Sequence, residues 1–316
     1  IGGLDSLGGA IVGSLLVGVV NGVVGSRVDP TTSAGVVFAG VLAVAVVLVY
    51  SSTRVLSLAA GEIGAFALYA GLHWHEDGLL GWHPTVLEAG LIAVLLGGAL
   101  GLLVERVVMR PLVGRPPLDG LVATLAVALF LALLELALYG IDPFAAPSPV
   151  GDGSFDVFGS TLTAPEITLL LLAAGVAGGL WLFLTRTRFG LATRATTSDP
   201  TVARLLGVKV NRVYVFAWGT AGLLAGAAAA LLAPIQGSLT PFSLTTALLS
   251  ALAGAVIGGL DSLGGAIVGS LLVGVVNGVV GSRVDPTTSA GVVFAGVLAV
   301  LLLRPQGLLG STRATA

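Results

Sequence analysis

The chain has 316 residues, of which 56% are hydrophobic and only 9% charged, with a net charge of −2. Soluble domains carry about 25% charged residues, so this composition excludes an ordinary water-soluble globule. A mean hydropathy of +1.05 means that much of the apolar surface must face something other than water. Cysteine is absent, which excludes a thiolate metal site and a cysteine nucleophile.

The chain opens on Ile1 rather than Met, and the N-terminus reads as processed, truncated or wrongly assembled. No basic segment or small-residue cleavage site of a signal peptide precedes the first apolar run. About 20 apolar residues cross a bilayer. Ten stretches meet that length between polar breaks, at 8–26, 34–52, 55–72, 86–108, 118–140, 166–184, 212–233, 244–260, 263–281 and 288–303. The third contains Glu62 between Gly61 and Gly64, and the eighth ends in a glycine-rich stretch, so both are candidates for broken or re-entrant segments. The expected fold is all-α, a polytopic bundle of transmembrane helices.

Residues 1–44 are identical, letter for letter, to residues 257–300. Diverged transporter repeats keep only weak internal similarity. Perfect identity therefore reads as a recent duplication or an assembly or gene-model error, rather than as a functional repeat.

Orientation follows from Lys and Arg in the short loops. Arg54 precedes the third span; Arg106, Arg110 and Arg115 follow the fourth. Arg186, Arg188, Arg194, Arg204, Lys209 and Arg212 lie between the sixth and seventh, and Arg304 and Arg313 follow the last. Of the 14 basic residues only Arg27 and Arg283 fall on the other side, so both termini are expected in the cytoplasm.

Several motifs invite chemistry. Glu62 and Glu135 lie within apolar segments, where an unpaired charge costs about 2.5 kcal/mol or more, so each should face a cavity or a partner group. They are candidates for the substrate pathway with Gly61, and the competing reading is helix packing through hydrogen bonds. Gly-x-x-x-Gly pairs at Gly97/Gly101, Gly175/Gly179, Gly222/Gly226, Gly254/Gly258 and Gly265/Gly269 predict close helix contacts. His73, His75 and His83 with Glu76 suggest a metal cluster on a short external loop, but Trp74 and Trp82 beside them favour anchoring at the membrane surface. The run Gly258-Gly259-Leu260-Asp261-Ser262-Leu263-Gly264-Gly265 lacks the Gly-Lys-Ser/Thr of a phosphate-binding loop. No catalytic residue, metal site, cofactor or nucleic-acid partner is expected, and any ATP must be hydrolysed elsewhere.

The stretch Thr185–Arg212 is the most informative polar segment. Ser198 or Asp199 can cap a short helix that begins at Pro200. Val202, Leu205 and Leu206 give it an apolar face, and Gly207 stands where a helix stops. Such a helix between two spans suits docking in a groove on a partner protein; the competing reading is a helix lying on lipid.

These segments resemble the permeases of branched-chain amino-acid ABC importers, the LivH/LivM family, over residues 35–310. Ala59, Gly61 and Glu62 match the family's Asn-Phe-Ala-His-Gly-Glu, with Ser57, Leu58 and Ala60 in place of Asn, Phe and His. Glu105-Arg106, Arg110-Pro111-Leu112, Gly114-Arg115-Pro116-Pro117-Leu118 and Ala123-Thr124 follow the family's next segment. Thr187-Arg188-Phe189-Gly190, Arg194-Ala195, Asp199-Pro200, Ala203 and Leu206-Gly207-Val208 resemble its ATPase-coupling region. Gly258–Ala266 is similar to Gly-Gly-x-Gly-Ser-x-x-Gly-Ala, with Asp261 at a usual glycine, and Arg304-Pro305-Gln306-Gly307-Leu308-Leu309-Gly310 is like the family's C-terminal Arg-Pro-Gln-Gly-Leu-Phe-Gly.

The resemblance implies a permease that pairs with a second permease subunit, two cytoplasmic ATP-binding subunits and an external substrate-binding protein, in the lipid of the cytoplasmic (inner) membrane. It implies coupling residues Arg194, Ala195, Asp199, Ala203, Leu205, Leu206 and Gly207, with the 194–208 helix moved by the ATPases. It also divides the chain into residues 1–34, a duplicated segment without a family counterpart, a permease domain at 35–310, and a tail at 311–316. Gly35–Val44 suits both contexts, as a crossover at similar sequence would leave it. The expected cargo is branched-chain or other amino acids. The alternatives are a secondary transporter or channel for small polar solutes, with Glu62 and Glu135 as ion sites, and an importer permease for urea or amides.

Overall fold

The computed structural model describes residues 30–78, 82–148, 150–151, 153–157, 160–241, 243–260, 262–283, 286–304 and 306–309. The expected first span, 8–26, lies outside them. The remaining nine expected spans each coincide with a helix.

Helix α1 (Pro30–Thr53) enters the bundle centrally and packs on α8, α9 and α10. Helix α2 (Ala60–Asp77) follows a non-helical segment at 54–59 and is itself continuous, so the third span starts late and is not interrupted within. Helix α3 (Val86–Val104) starts with a reciprocal cap: Thr85 Oγ1 accepts from the Glu88 amide at 3.3 Å, and Glu88 Oε2 accepts from the Thr85 amide at 2.7 Å. It ends in a π turn (Glu105–Met109) and a short 3-10 turn (Arg110–Leu112). Helix α4 (Pro117–Tyr139) begins on proline, where the missing amide costs nothing, and stops at Gly140.

Two minor ribbons follow. Strand β1 (Phe144–Ala145) pairs antiparallel with β4 (Ser238–Leu239), and β2 (Ser154–Val157) with β3 (Ser160–Thr163). The remaining helices are α5 (Ala164–Arg186), α6 (Arg188–Ser198), α7 (Pro200–Leu205), α8 (Val210–Gln236), α9 (Ser243–Gly258), α10 (Leu263–Arg283) and α11 (Pro286–Leu303). Among the described residues, Val86–Leu112, Pro117–Tyr139 and Val210–Gln236 are long and apolar enough to span a bilayer by those criteria alone. Leu118, Val122, Leu129, Phe130 and Leu133 on α4 are exposed, as expected of a helix solvated by lipid.

Small residues set the contacts. Helices α3 and α8 meet glycine against glycine: a Cβ on Gly97 would strike the Gly222 carbonyl, one on Gly222 the Gly97 carbonyl, and one on Gly101 the Trp218 carbonyl. The Gly254/Gly258 and Gly265/Gly269 pairs likewise face each other across α9 and α10. The Gly175/Gly179 pair differs: nothing lies within 4 Å of a Cβ at either position, so the expected contact is absent among the described residues.

The glycine-rich run 258–265 is the corner between α9 and α10. Ser262 Oγ accepts from the Gly265 amide at 3.0 Å and caps α10. The C-terminal motif closes the same corner, because the Leu308 and Leu309 amides donate to the carbonyls of Ile257 and Gly258 at 2.8 and 3.0 Å. Gly307, at φ 80°, lies against the Gly259 backbone, which explains why both motifs carry glycine.

Candidate functional site

Two regions hold the residues singled out from the sequence. The first forms around the start of α2. The Thr124 hydroxyl on α4 accepts from the Leu58 amide at 3.3 Å, and its one proton is shared between the carbonyls of Leu56 at 3.1 Å and Leu121 at 2.9 Å. Non-helical backbone at membrane depth needs such partners, and the buried Thr124 supplies them. Gly61 then lets α2 approach α9, where an added Cβ would lie 3.1 Å from Leu248 Cβ and 3.3 Å from the Leu244 carbonyl. Gly64 does the same against the Ala225 carbonyl of α8 at 2.5 Å.

This approach draws Glu62 into the interior, in the first turn of α2 rather than in unwound backbone; the unwound segment lies just before it. Thr245 on α9 donates its hydroxyl to Glu62 Oε1. Glu135 on α4 is fully buried and lies within electrostatic reach of Glu62. Glu62 Oε2, both Glu135 carboxylate oxygens and the Tyr69 hydroxyl have no hydrogen-bond partner among the described residues. Buried acceptors in this number can hold a proton or a positively charged group, which offsets the cost of leaving them bare.

An aromatic column adjoins the carboxylates. Tyr69 stacks on Tyr139 with ring centroids 5.2 Å apart at 8°, and Phe144 meets Tyr69 edge-on at 6.3 Å. Phe66 and His73 pack on Tyr139 at 6.3 and 5.2 Å. The sequence reading brought Gly61, Glu62 and Glu135 forward; the structure gathers them and adds Thr245, Tyr69 and Tyr139. Thr245 and Tyr69 carried no distinguishing signal, since a hydroxyl inside an apolar span is common.

His73 and His75 take separate partners. His73 and His75 lie on the last turns of α2, which runs on to Asp77, not on a loop as expected. His73 Nε2 pairs with Asp77 Oδ2 at 2.8 Å, and His75 Nδ1 lies 2.6 Å from the Pro84 carbonyl. Among the described residues no group of three or more His, Cys, Asp or Glu is arranged to hold a metal.

The second region is the basic stretch after α5. The expected 194–208 helix is two helices, α6 and α7, broken at Asp199 (φ −154°, ψ 107°). The break has a steric cause: a residue before proline is pushed out of the helical region. Asp199 Oδ1 accepts from the amides of Thr201 and Val202 at 2.7 and 3.0 Å. At the other end Gly207 (φ 83°) donates to the Arg204 carbonyl and Val208 to that of Ala203, the paired bonds of a Schellman stop.

Between these caps Ala203 is buried with Ala195 against Val210 and Tyr214 at the start of α8. Leu205 and Leu206 are 83% and 76% exposed. The seven residues named for coupling therefore divide. Asp199, Ala203 and Gly207 build α7, Ala195 seats it, Arg194 is half-buried on α6, and Leu205 and Leu206 alone present apolar surface. Arg54, in the left-handed region at φ 60°, donates from Nη2 to the Thr197 carbonyl at 3.0 Å and ties this region to the end of α1.

Comparison with known proteins decides the family. The family model described as branched-chain amino acid transport system / permease component matches residues 32–303. The chain belongs to that family. It is 27% identical over 277 residues to the high-affinity branched-chain amino acid transport system permease protein LivH of Salmonella typhimurium, covering 85% of this chain and 90% of the relative. It is 28% identical to the permease protein BraD of the corresponding system in Pseudomonas aeruginosa, with the same coverage of each. Similarity extends to the ribose import permease protein RbsC of Escherichia coli, at 27% over 213 residues, 63% of this chain and 62% of that one. No solved structure matches. The chain is thus an all-α membrane permease component, related to transport proteins.

Proposed function

We propose that this chain is the transmembrane subunit of an ATP-driven importer that moves branched-chain or other amino acids across the cytoplasmic membrane. The observation that carries the reading is α7: a short helix capped at both ends, seated on α8, with Leu205 and Leu206 turned outward at the basic end of the bundle. A rigid apolar knob of this kind suits insertion into a groove on an ATPase. The distribution of Lys and Arg supports a cytoplasmic position for that end and for both termini. The partners are a second permease, two ATP-binding subunits and an external binding protein.

The buried carboxylates and the aromatic column supply the path. An amino acid offers an ammonium group to Glu62 and Glu135 and an apolar side chain to Tyr69 and Tyr139. The amino-acid assignment follows the names of the related permeases, and ribose is the control substrate. Residues 35–310 form the permease domain, with the duplicated residues 1–34 and the tail 311–316 outside it.

Vesicles that hold the full complex should take up amino acid with ATP inside and an uncoupler present. Uptake abolished by the uncoupler at constant ATP overturns the importer reading in favour of a proton-driven carrier, for which Glu62 and Glu135 are the specific support. Leu206→Asp should release the ATPase while the permease stays folded; undiminished co-purification counts against α7 as the coupling helix.

A further inference from the structure

The α1–α2 segment, the end of α3, the start of α4 and the start of α8 enclose a cavity of about 160 Å³ at the basic end of the bundle. Its wall carries three arginines, Arg54, Arg110 and Arg115, against one carboxylate, Glu105. Glu105 is buried, with Arg110 within electrostatic reach of it. Three arginines against one carboxylate leave the wall net positive; Arg54 is engaged with the Thr197 carbonyl, and Arg115 is exposed. Trp218 also lines the cavity, and its buried indole N–H has no acceptor among the described residues. Val113 lines the cavity and is exposed, and Val107 and Leu118, close in sequence to other residues of its lining, are exposed apolar residues that suit acyl chains.

We propose that this cavity binds the phosphate of an anionic phospholipid headgroup, with Arg110 and Arg115 as charged donors and the Trp218 indole as a neutral one. Three features combine: net positive charge, an unanswered buried donor and an exposed apolar residue, Val113, in the lining. Basic pockets between helices at a membrane surface hold anionic headgroups by this chemistry. The proposal requires only that this end of the bundle lie at a membrane surface and is independent of the importer reading.

The test is native mass spectrometry of the full chain in detergent, titrated separately with phosphatidylglycerol, phosphatidylcholine and inorganic phosphate. The expected result is retention of phosphatidylglycerol at least about tenfold over phosphatidylcholine, whose quaternary ammonium offsets the phosphate charge and is repelled by the arginines. That preference should fall in Arg115→Gln and Arg110→Gln, recover in Arg110→Lys and persist in Arg186→Gln, a basic residue outside the cavity. Arg115 is exposed, so its variant should fold even if that of Arg110 does not. Competition by inorganic phosphate at matched concentration assigns the site to free phosphate rather than lipid. Equal retention of the two lipids, or a preference untouched by Arg115→Gln, overturns the proposal.

Discussion

Residues Pro30–Val44 and Pro286–Val300 are the same sequence in two places, both helical, and where their side chains are described their burial differs. In α1 the stretch Val41–Val44 is sealed between α8, α9 and α10; Leu42 is 1% exposed. In α11 the same letters lie at the edge against α10 and α9, and Leu298, the counterpart of Leu42, is 59% exposed. Identical propensity and identical hydropathy thus yield a core helix and a rim helix. Lipid tails are as apolar as leucine, so burial in protein and burial in lipid select the same residues. The difference is made by the continuation: Ala45–Val49 keeps α1 inside the bundle, whereas Leu301–Leu303 is exposed and leads to the Arg304 corner.

Substitutions that separate packing from hydropathy probe this contrast, and the largest effect belongs to the glycine contacts. Gly222→Leu would drive a side chain into the Gly97 backbone, which has no rotamer to yield, so a loss above about 3 kcal/mol is expected. Gly175→Leu on α5, with open space around it, should leave a monodisperse protein. Similar behaviour of the two in size-exclusion chromatography would break the distinction between small-residue spacing and actual contact.

Leu42→Ala should cost about 2–5 kcal/mol as a core cavity, and Leu298→Ala should change stability by about 0.5 kcal/mol or less. Thermal midpoints in one detergent check both, and equal shifts would deny α1 its central place. Asp199→Ala should cost α7 about 1 kcal/mol, seen as faster amide exchange at Thr201 and Val202, with Asn restoring it. The smallest effect is expected from deleting residues 1–29: the melting midpoint should not move. Collapse of the folded peak would show that the first copy's upstream part belongs to the permease.

Long apolar runs between polar loops were legible because a bilayer demands length and hydropathy together. Boundaries were less so. The stretch 55–72 contained the apolar count of the third span, but the helix occupies Ala60–Asp77. Hydropathy cannot register Arg54 at φ 60°, nor a last turn built from His73, His75 and Asp77. Glu62 and Glu135 stood out singly through their cost in lipid, yet no spacing rule connects residues on α2 and α4, and their meeting belongs to tertiary packing. The caps of α7 were readable from Asp199-Pro200 and Gly207, because local backbone geometry dictates those residue types. The corner that joins 258–265 to 304–309 was visible only as two separate motifs.

The bare backbone contact between α3 and α8 has a mechanical corollary. The layer of side chains between two helices transmits strain but can still yield slightly by changing rotamer. Where Gly97 and Gly101 meet Gly222 and Gly226, that layer is missing, and the two helices form a stiff plate. Helix α7 is seated on one edge of this plate through Ala203, Val210 and Tyr214. A push delivered to Leu206 would therefore arrive at the far end of α3 with little loss, as torque passes along a shaft with no slack.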